Sequence, residues 1–170
     1  MRPANYRDVG EALGLWLDPT PIPPGRLLRG GKFDLLASLA DLGHPATILN
    51  LRRGPDPLHL GVPIVHVPAA DDLENYDTSQ RRVRDWITRA LAVLADPATK
   101  WPVYVHCTSG RDRTGVVIAA ALLGIGTPRE IIAEEYMLSE GSDRAAIEGA
   151  LDGLLAAPPN VSALRIALGR

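Results

Sequence analysis

Val103-Tyr104-Val105-His106-Cys107-Thr108-Ser109-Gly110-Arg111-Asp112-Arg113-Thr114-Gly115 decides the reading of the chain. Pro102 to His106 is short and rich in β-branched and aromatic residues, as strands are, and Val116 to Leu123 is apolar on every side, as an enclosed helix is. Between them the single cysteine sits at a strand end, and Arg113 follows six residues later, where the helix opens. A loop wrapped in front of a helix N-terminus aims backbone N–H groups at one point and adds the positive end of the helix dipole. That point suits a phosphate dianion. Arg113 can fork two charge-assisted hydrogen bonds to two phosphate oxygens, a geometry that lysine cannot reproduce. Gly110 can take a positive φ or pass close to the anion, and Thr114 adds a hydroxyl near the sulfur. The same donors favour a thiolate, so Cys107 is expected to be largely ionised at neutral pH, unlike an ordinary free cysteine.

Other loop chemistries fail on spacing. A nucleotide-binding loop of the Walker type needs a lysine after its second glycine, whereas Gly115 is followed by Val116. The dinucleotide fingerprint lacks its third glycine, and Gly124-Ile125-Gly126 follows a helix rather than a strand.

Outward from the loop, short Ile- and Val-rich runs bounded by Gly, Pro or Asp predict strands at Ala46 to Leu51 and Pro63 to Val67, with a shorter one at Leu27-Leu28. Thr78 to Ala95 predicts an amphipathic helix whose buried stripe is Val83, Trp86, Ile87, Ala90, Leu91 and Leu94. Leu35, Leu36, Leu39 and Leu42 recur at helical intervals and predict a helix of about three turns over Phe33 to Leu42, with Gly43 as its C-cap. Thr127, Pro128 and Glu130 combine a capping box with proline at the first helical position. Further helices are predicted over Asp143 to Leu155 and Val161 to Leu168, and the proline-rich stretch from Leu13 to Arg26 reads as an irregular arm on the core. Strands alternating with helices imply an α/β fold, with a central, largely parallel sheet flanked by helices, and one domain over residues 1–170.

Composition narrows the function. The 170 residues are 46% apolar, so the fold can rest on packing alone. Eighteen basic against 20 acidic side chains leave no positive field for a polyphosphate backbone, which disfavours a nucleic-acid partner. One cysteine makes no internal disulfide and fits a reducing compartment, here the cytoplasm. The N-terminal residues lack a signal-peptide core, and the longest apolar run is too short to span a bilayer, so no integral membrane association is expected. His44, His59 and His66 lack ligand spacing, so neither a metal nor another cofactor is expected.

The run His106 to Gly115 resembles the signature of the cysteine-dependent protein tyrosine and dual-specificity phosphatases. Arg26-Leu27-Leu28-Arg29-Gly30-Gly31 is similar to the opening strand of their compact bacterial and atypical members, Ile48-Leu49-Asn50-Leu51-Arg52 to their Asn-Leu-Arg strand end, and Glu135-Tyr136-Met137-Leu138-Ser139 to a downstream helix. The resemblance covers about residues 25–139 and leaves the C-terminal helices over 143–168 outside it. It implies a phosphotyrosine-phosphatase-like fold and a two-step hydrolysis of phosphomonoesters through a phosphocysteine intermediate. By resemblance Cys107 is the nucleophile and Arg113 the phosphate clamp, Thr114 tunes the thiolate and helps break the thiophosphate, and His106 orders the loop. Thr108, Ser109, Gly110, Arg111, Asp112 and Arg113 would then bind the substrate phosphate.

Departure of an alkoxide or phenolate calls for a carboxylic acid outside the loop. The compact members place it just after the strand that precedes the long helix, which makes Asp71 the first candidate and Asp72 the second. Asp77 reads instead as a helix N-cap, and Glu74 as a solvated side chain. The expected substrate is a phosphorylated protein or a small phosphomonoester. The alternative is a phosphoinositide or inositol phosphate, for which Arg111 would offer a second basic group, partly opposed by Asp112.

Overall fold

The computed structural model describes residues 1–70 and 74–169. Its strands are β1 (Arg7–Asp8), β2 (Leu27–Gly30), β3 (Thr47–Asn50), β4 (Ile64–His66) and β5 (Val103–His106). They form one sheet in the order β1-β2-β5-β3-β4. All neighbours pair in parallel except the two-residue β1, which lies antiparallel on the β2 edge. The helices are α1 (Val9–Leu13), α2 (Arg81–Ala95), α3 (Asp112–Gly124), α4 (Arg129–Met137), α5 (Arg144–Ala156) and α6 (Leu164–Leu168).

The register explains where a site can form. Gly30 pairs with His106, His106 with Asn50, and Asn50 with His66, so four strand ends stop level with one another. Ligands of open α/β sheets bind beyond the carboxyl ends of the strands. Here that edge carries the turn after β2, the turn after β3, the segment after β4 and the cysteine loop after β5.

Strand residues alternate between two cores. Leu27, Leu49, Val103 and Val105 face the helices, and the α2 stripe predicted from sequence is at most 1% exposed throughout. Helix α3 is buried from Thr114 to Leu122, as its all-round apolarity requires. Leu28, Ile48 and Tyr104 face the other way and are covered by Phe33, Leu42, Tyr6, Leu60 and Val62. This second cover is mostly irregular, and it corrects the helix predicted over Phe33 to Leu42. Only Ala40–Leu42 forms a 3₁₀ turn, capped by Gly43 at φ 80°. Asp34 accepts the Leu36 N–H at 2.8 Å and Asp41 the Ser38 N–H at 2.9 Å. These carboxylates take donors that a helical ladder would use.

Two further expectations shift. Pro128 is the N-cap of α4 rather than its first residue, and the Thr127 hydroxyl is buried without a hydrogen-bond partner among the described residues, so the capping box does not form. Asp77 accepts from Ser79 and Gln80 side chains, while α2 begins four residues on, at Arg81. The arm after α1 is irregular as expected and anchors through the fully buried Ile22. Among the described residues, no helix is long and apolar enough to cross a membrane.

Candidate active site

The loop after β5 is held by its carbonyls. His106 C=O accepts from the Leu51 N–H at 2.9 Å, Thr108 C=O from the Lys32 N–H at 3.1 Å, Ser109 C=O from Asn5 Nδ2 at 2.9 Å and Gly110 C=O from Arg29 Nη2 at 2.9 Å. The backbone N–H groups from Thr108 to Thr114 donate to no described residue, and the first helical bond runs from the Gly115 N–H to Arg111 C=O at 2.9 Å. Because a peptide's N–H and C=O point in opposite directions, fixing the carbonyls on the scaffold turns the amides toward the other side. The loop thus presents a ring of donors at the start of α3. Gly110 takes φ +72°, and a Cβ there would lie 2.3 Å from the Gly30 carbonyl carbon. Only glycine fits that close passage.

Cys107 is 1% exposed beneath this ring. Arg113 closes across the loop, with Nη2 donating to Thr108 Oγ1 at 3.3 Å. Thr114 is fully buried, and its hydroxyl has no hydrogen-bond partner among the described residues, Cys107 Sγ included. The structure therefore brings Cys107, Thr108 to Arg113 and Thr114 into one loop and helix turn. Asp71 and Asp72 lie outside the described residues.

Several supporting residues are not singled out by the sequence reading. Arg29, wholly buried on β2, donates through Nη1 to Glu135 Oε2 at 2.8 Å while its Nη2 holds Gly110. Arg7 from β1 donates through Nε to Glu135 Oε1, also at 2.8 Å, and reaches Ser139 Oγ at 3.1 Å. Burial pulls the Arg29 pKa down from its ordinary value to about 10, and Glu135 restores only part of that loss. The available signal lay in the two segments that resemble the family, since Arg29 stands in one and Glu135 and Ser139 in the other.

His106 is oriented from the side. Its Nε2 is 2.7 Å from Asp56 Oδ2, with both side chains fully buried. Tyr104 stacks on the imidazole at 5.5 Å and 16°, while Phe33 meets it edge-on. Asn50 shapes the turn that delivers Asp56, accepting from the Arg52 N–H and donating to Gly54 C=O, each at 2.9 Å. The loop-ordering role expected of His106 thus acquires a partner, Asp56.

At the start of α3, Arg111 forks onto Asp112, Nε to Oδ1 at 3.1 Å and Nη2 to Oδ2 at 3.0 Å. Asp112 Oδ1 also accepts the Tyr76 hydroxyl at 2.6 Å. Burial alone would raise the Asp112 pKa, but the hydrogen bonds from Arg111 and Tyr76 outweigh it and hold the carboxyl below its usual range. The same pairing raises the Arg111 pKa. Arg111 is therefore committed to its neighbour, which removes much of its availability for a second phosphate.

Comparison with known proteins places this geometry. The family model described as "Tyrosine phosphatase family" matches residues 2–157. Over 76 residues the chain is 37% identical to the triple specificity protein phosphatase PtpB of Mycobacterium tuberculosis; the match covers 42% of this chain and 28% of that protein. The core catalytic domain of the PP-IP phosphatase Siw14 from S. cerevisiae superposes with a TM-score of 0.67 at 19% identity, over 98% of this chain and 93% of that one. P. aeruginosa TpbA superposes with a TM-score of 0.54 at 20% identity, over 89% of each chain. These two likenesses speak for the fold, a mostly parallel sheet flanked by helices. With nearly its whole length matched by the family model, this chain belongs to the tyrosine phosphatase family.

Proposed function

We propose that this chain hydrolyses phosphomonoesters in two displacements. Cys107 attacks phosphorus in line while Arg113 and the loop amides hold the equatorial oxygens, and Asp71 protonates the departing oxygen. The phosphorus–oxygen bond to the leaving group breaks as the phosphorus–sulfur bond forms. Water then attacks the phosphocysteine, giving up a proton to the same carboxylate and releasing phosphate and the Cys107 thiolate. The role that the resemblance implies for Thr114, support of the sulfur as leaving group, requires its hydroxyl to turn onto Cys107 Sγ, a bond it does not make in this structure. The observation that carries this reading is the loop's polarity: carbonyls bound to the scaffold, amides that donate to no described residue, a buried cysteine at its start and an arginine bonded across it.

The substrate we favour is a phosphorylated protein side chain, phosphotyrosine among them. Support comes from family membership and from the structure of TpbA in complex with pTyr, which superposes with a TM-score of 0.52. A second reading, an inositol phosphate or phosphoinositide, draws on the fold likeness to Siw14 and on Lys32, whose exposed side chain stands where its own N–H binds the loop at Thr108. A single cysteine, with no internal disulfide to form, is consistent with a reducing compartment such as the cytoplasm, which is the location we favour.

The test is phosphate release from an aryl phosphate, followed by a panel of phosphopeptides and inositol phosphates. Cys107→Ser is expected to abolish turnover and still bind vanadate or phosphate. Asp71→Asn is expected to slow esters with poor leaving groups most; if Asp72→Asn does so instead, the acid is reassigned. Turnover surviving in Cys107→Ser overturns the mechanism, and a preference for inositol phosphates overturns the substrate.

A further inference from the structure

The segment that carries Asp71 and Asp72 is fastened at both of its described ends. At the start, the Val67 N–H donates to Asn50 C=O and the Trp86 indole N–H donates to Val67 C=O, each at 2.9 Å. These bonds tie it to β3 and α2. At the finish stands Tyr76, half-buried, five positions beyond Asp71. Its hydroxyl meets Asp112 Oδ1 at 2.6 Å and the Tyr136 hydroxyl at 2.8 Å. Asp112 is the residue before Arg113, in the first turn of the helix that the phosphate loop opens.

The protons of this cluster run one way. The Asp143 N–H donates to the Tyr136 oxygen at 3.3 Å. Asp112, a carboxylate, can only accept, so Tyr76 donates to Asp112 and Tyr136 donates to Tyr76. Each neighbour of Tyr76 is itself fixed: Asp112 by the Arg111 fork, and Tyr136 by packing on α3 and by Asp143. A phenol has two side-chain torsions, so such a contact sets the position of its backbone closely. The hydrogen bonds of residues 74 to 77 that reach α3 and α4 are those of Tyr76, since Glu74 and Asp77 bond within the segment or to Ser79 and Gln80.

We propose that Tyr76 is a positioning residue, which sets the distance between the carboxylate-bearing segment and the phosphate loop by tying one end of that segment to Asp112. It touches neither phosphate nor leaving group. The proposal rests on the reading that Asp71 or Asp72 protonates the leaving oxygen. Because burial and the Asp112 bond raise its pKa, the Tyr76 hydroxyl remains a donor through the working pH range.

The experiment compares kcat/KM, which covers only the steps up to loss of the leaving group, on phenyl phosphate, a poor leaving group, and on 2,4-dinitrophenyl phosphate, whose departure needs no acid. Tyr76→Phe removes the hydroxyl and keeps the ring edge-on to Tyr136, where the centroids are 6.3 Å apart. It is expected to lower kcat/KM on phenyl phosphate about tenfold and to leave kcat/KM on the dinitrophenyl ester within about twofold. In the background of whichever acid variant, Asp71→Asn or Asp72→Asn, shows the leaving-group effect, the further loss is expected to be under about twofold, because one route is already closed. Tyr136→Phe, which leaves the Asp112 tie in place, is expected to stay within about threefold on both esters. Equal losses on both esters from Tyr76→Phe, no loss on phenyl phosphate, or full additivity with the acid variant each overturn the proposal. If neither acid variant separates the two esters, the acid reading itself falls and takes this proposal with it. If one does and Tyr76→Phe does not, the positioning proposal alone falls.

Discussion

Replacing Arg29 by methionine should cost far more activity than stability. Arg29 is 0% exposed and its pKa falls to about 10 because burial outweighs the attraction of Glu135. A base whose pKa falls on folding costs stability at every pH below its folded value, and that cost fades as pH rises above about 10 toward the ordinary value of an arginine. Removing the guanidinium relieves this cost, and methionine fills much of its volume. Against the gain, Gly110 C=O loses its donor and Glu135 keeps only Arg7, a penalty of about 2 kcal/mol for buried groups left under-bonded. At this chain length that penalty alone would lower Tm by roughly 4–8 °C, and the relieved burial cost brings the net fall below that. The catalytic effect is larger, since a freed Gly110 carbonyl lets the peptide rotate and misaim the neighbouring amides. Loss of one oxyanion donor costs about 10²-fold or more in other enzymes, and a similar drop in kcat/KM is expected here. Calorimetry gives the first quantity, and turnover of an aryl phosphate with vanadate inhibition gives the second. If kcat/KM stays within about threefold while Tm falls as stated, Arg29 serves the fold alone and the carbonyl-anchoring argument is wrong.

Other perturbations test separate parts of the site. Gly110→Ala places a methyl 2.3 Å from the Gly30 carbonyl carbon at φ +72°, so the loop must move; turnover and anion binding should both be lost, and retention of either would contradict the close passage. Asp56→Leu orphans His106 Nε2 in a dry site and is expected to cost about 1–3 kcal/mol in urea denaturation. Asp112 has a folded pKa below 3.8, so its contribution to stability is present above pH 3.8 and is lost as pH falls through the folded value. Asp112→Asn should accordingly be less stable than the parent at neutral pH, with the gap closing in strong acid; a gap independent of pH would refute the pairing.

The parts of the fold legible in the sequence are those in which the information is local. The α2 stripe, the apolar α3 and the short strands carry their period within a few residues, and the cysteine loop carries its donor geometry in one run. Pairings between distant segments were illegible. Arg29 and Glu135 lie 106 positions apart and Asp56 and His106 lie 50 apart, and in isolation each reads as an ordinary surface charge or loop residue. The segment from Phe33 to Leu42 shows the opposite failure. Its leucines have the helical interval, yet Leu35 and Leu36 are 72% and 91% exposed, and the carboxylates of Asp34 and Asp41 claim the amides first. Spacing recorded a possibility that side-chain competition for the backbone then closed.

The level register of Gly30, Asn50 and His106 carries a consequence for how the molecule is made. These positions are brought together by parallel pairings that span much of the polypeptide, the kind of contact that is slow to close because chain entropy must be lost before any pairing is gained. No hairpin or isolated helix can hold the cysteine loop early, since its fasteners come from both ends of the sequence, Asn5 and Arg29 on one side and Glu135 on the other. A nascent or damaged chain therefore lacks the bonds that hold this loop in shape, and they arrive only with the completed sheet.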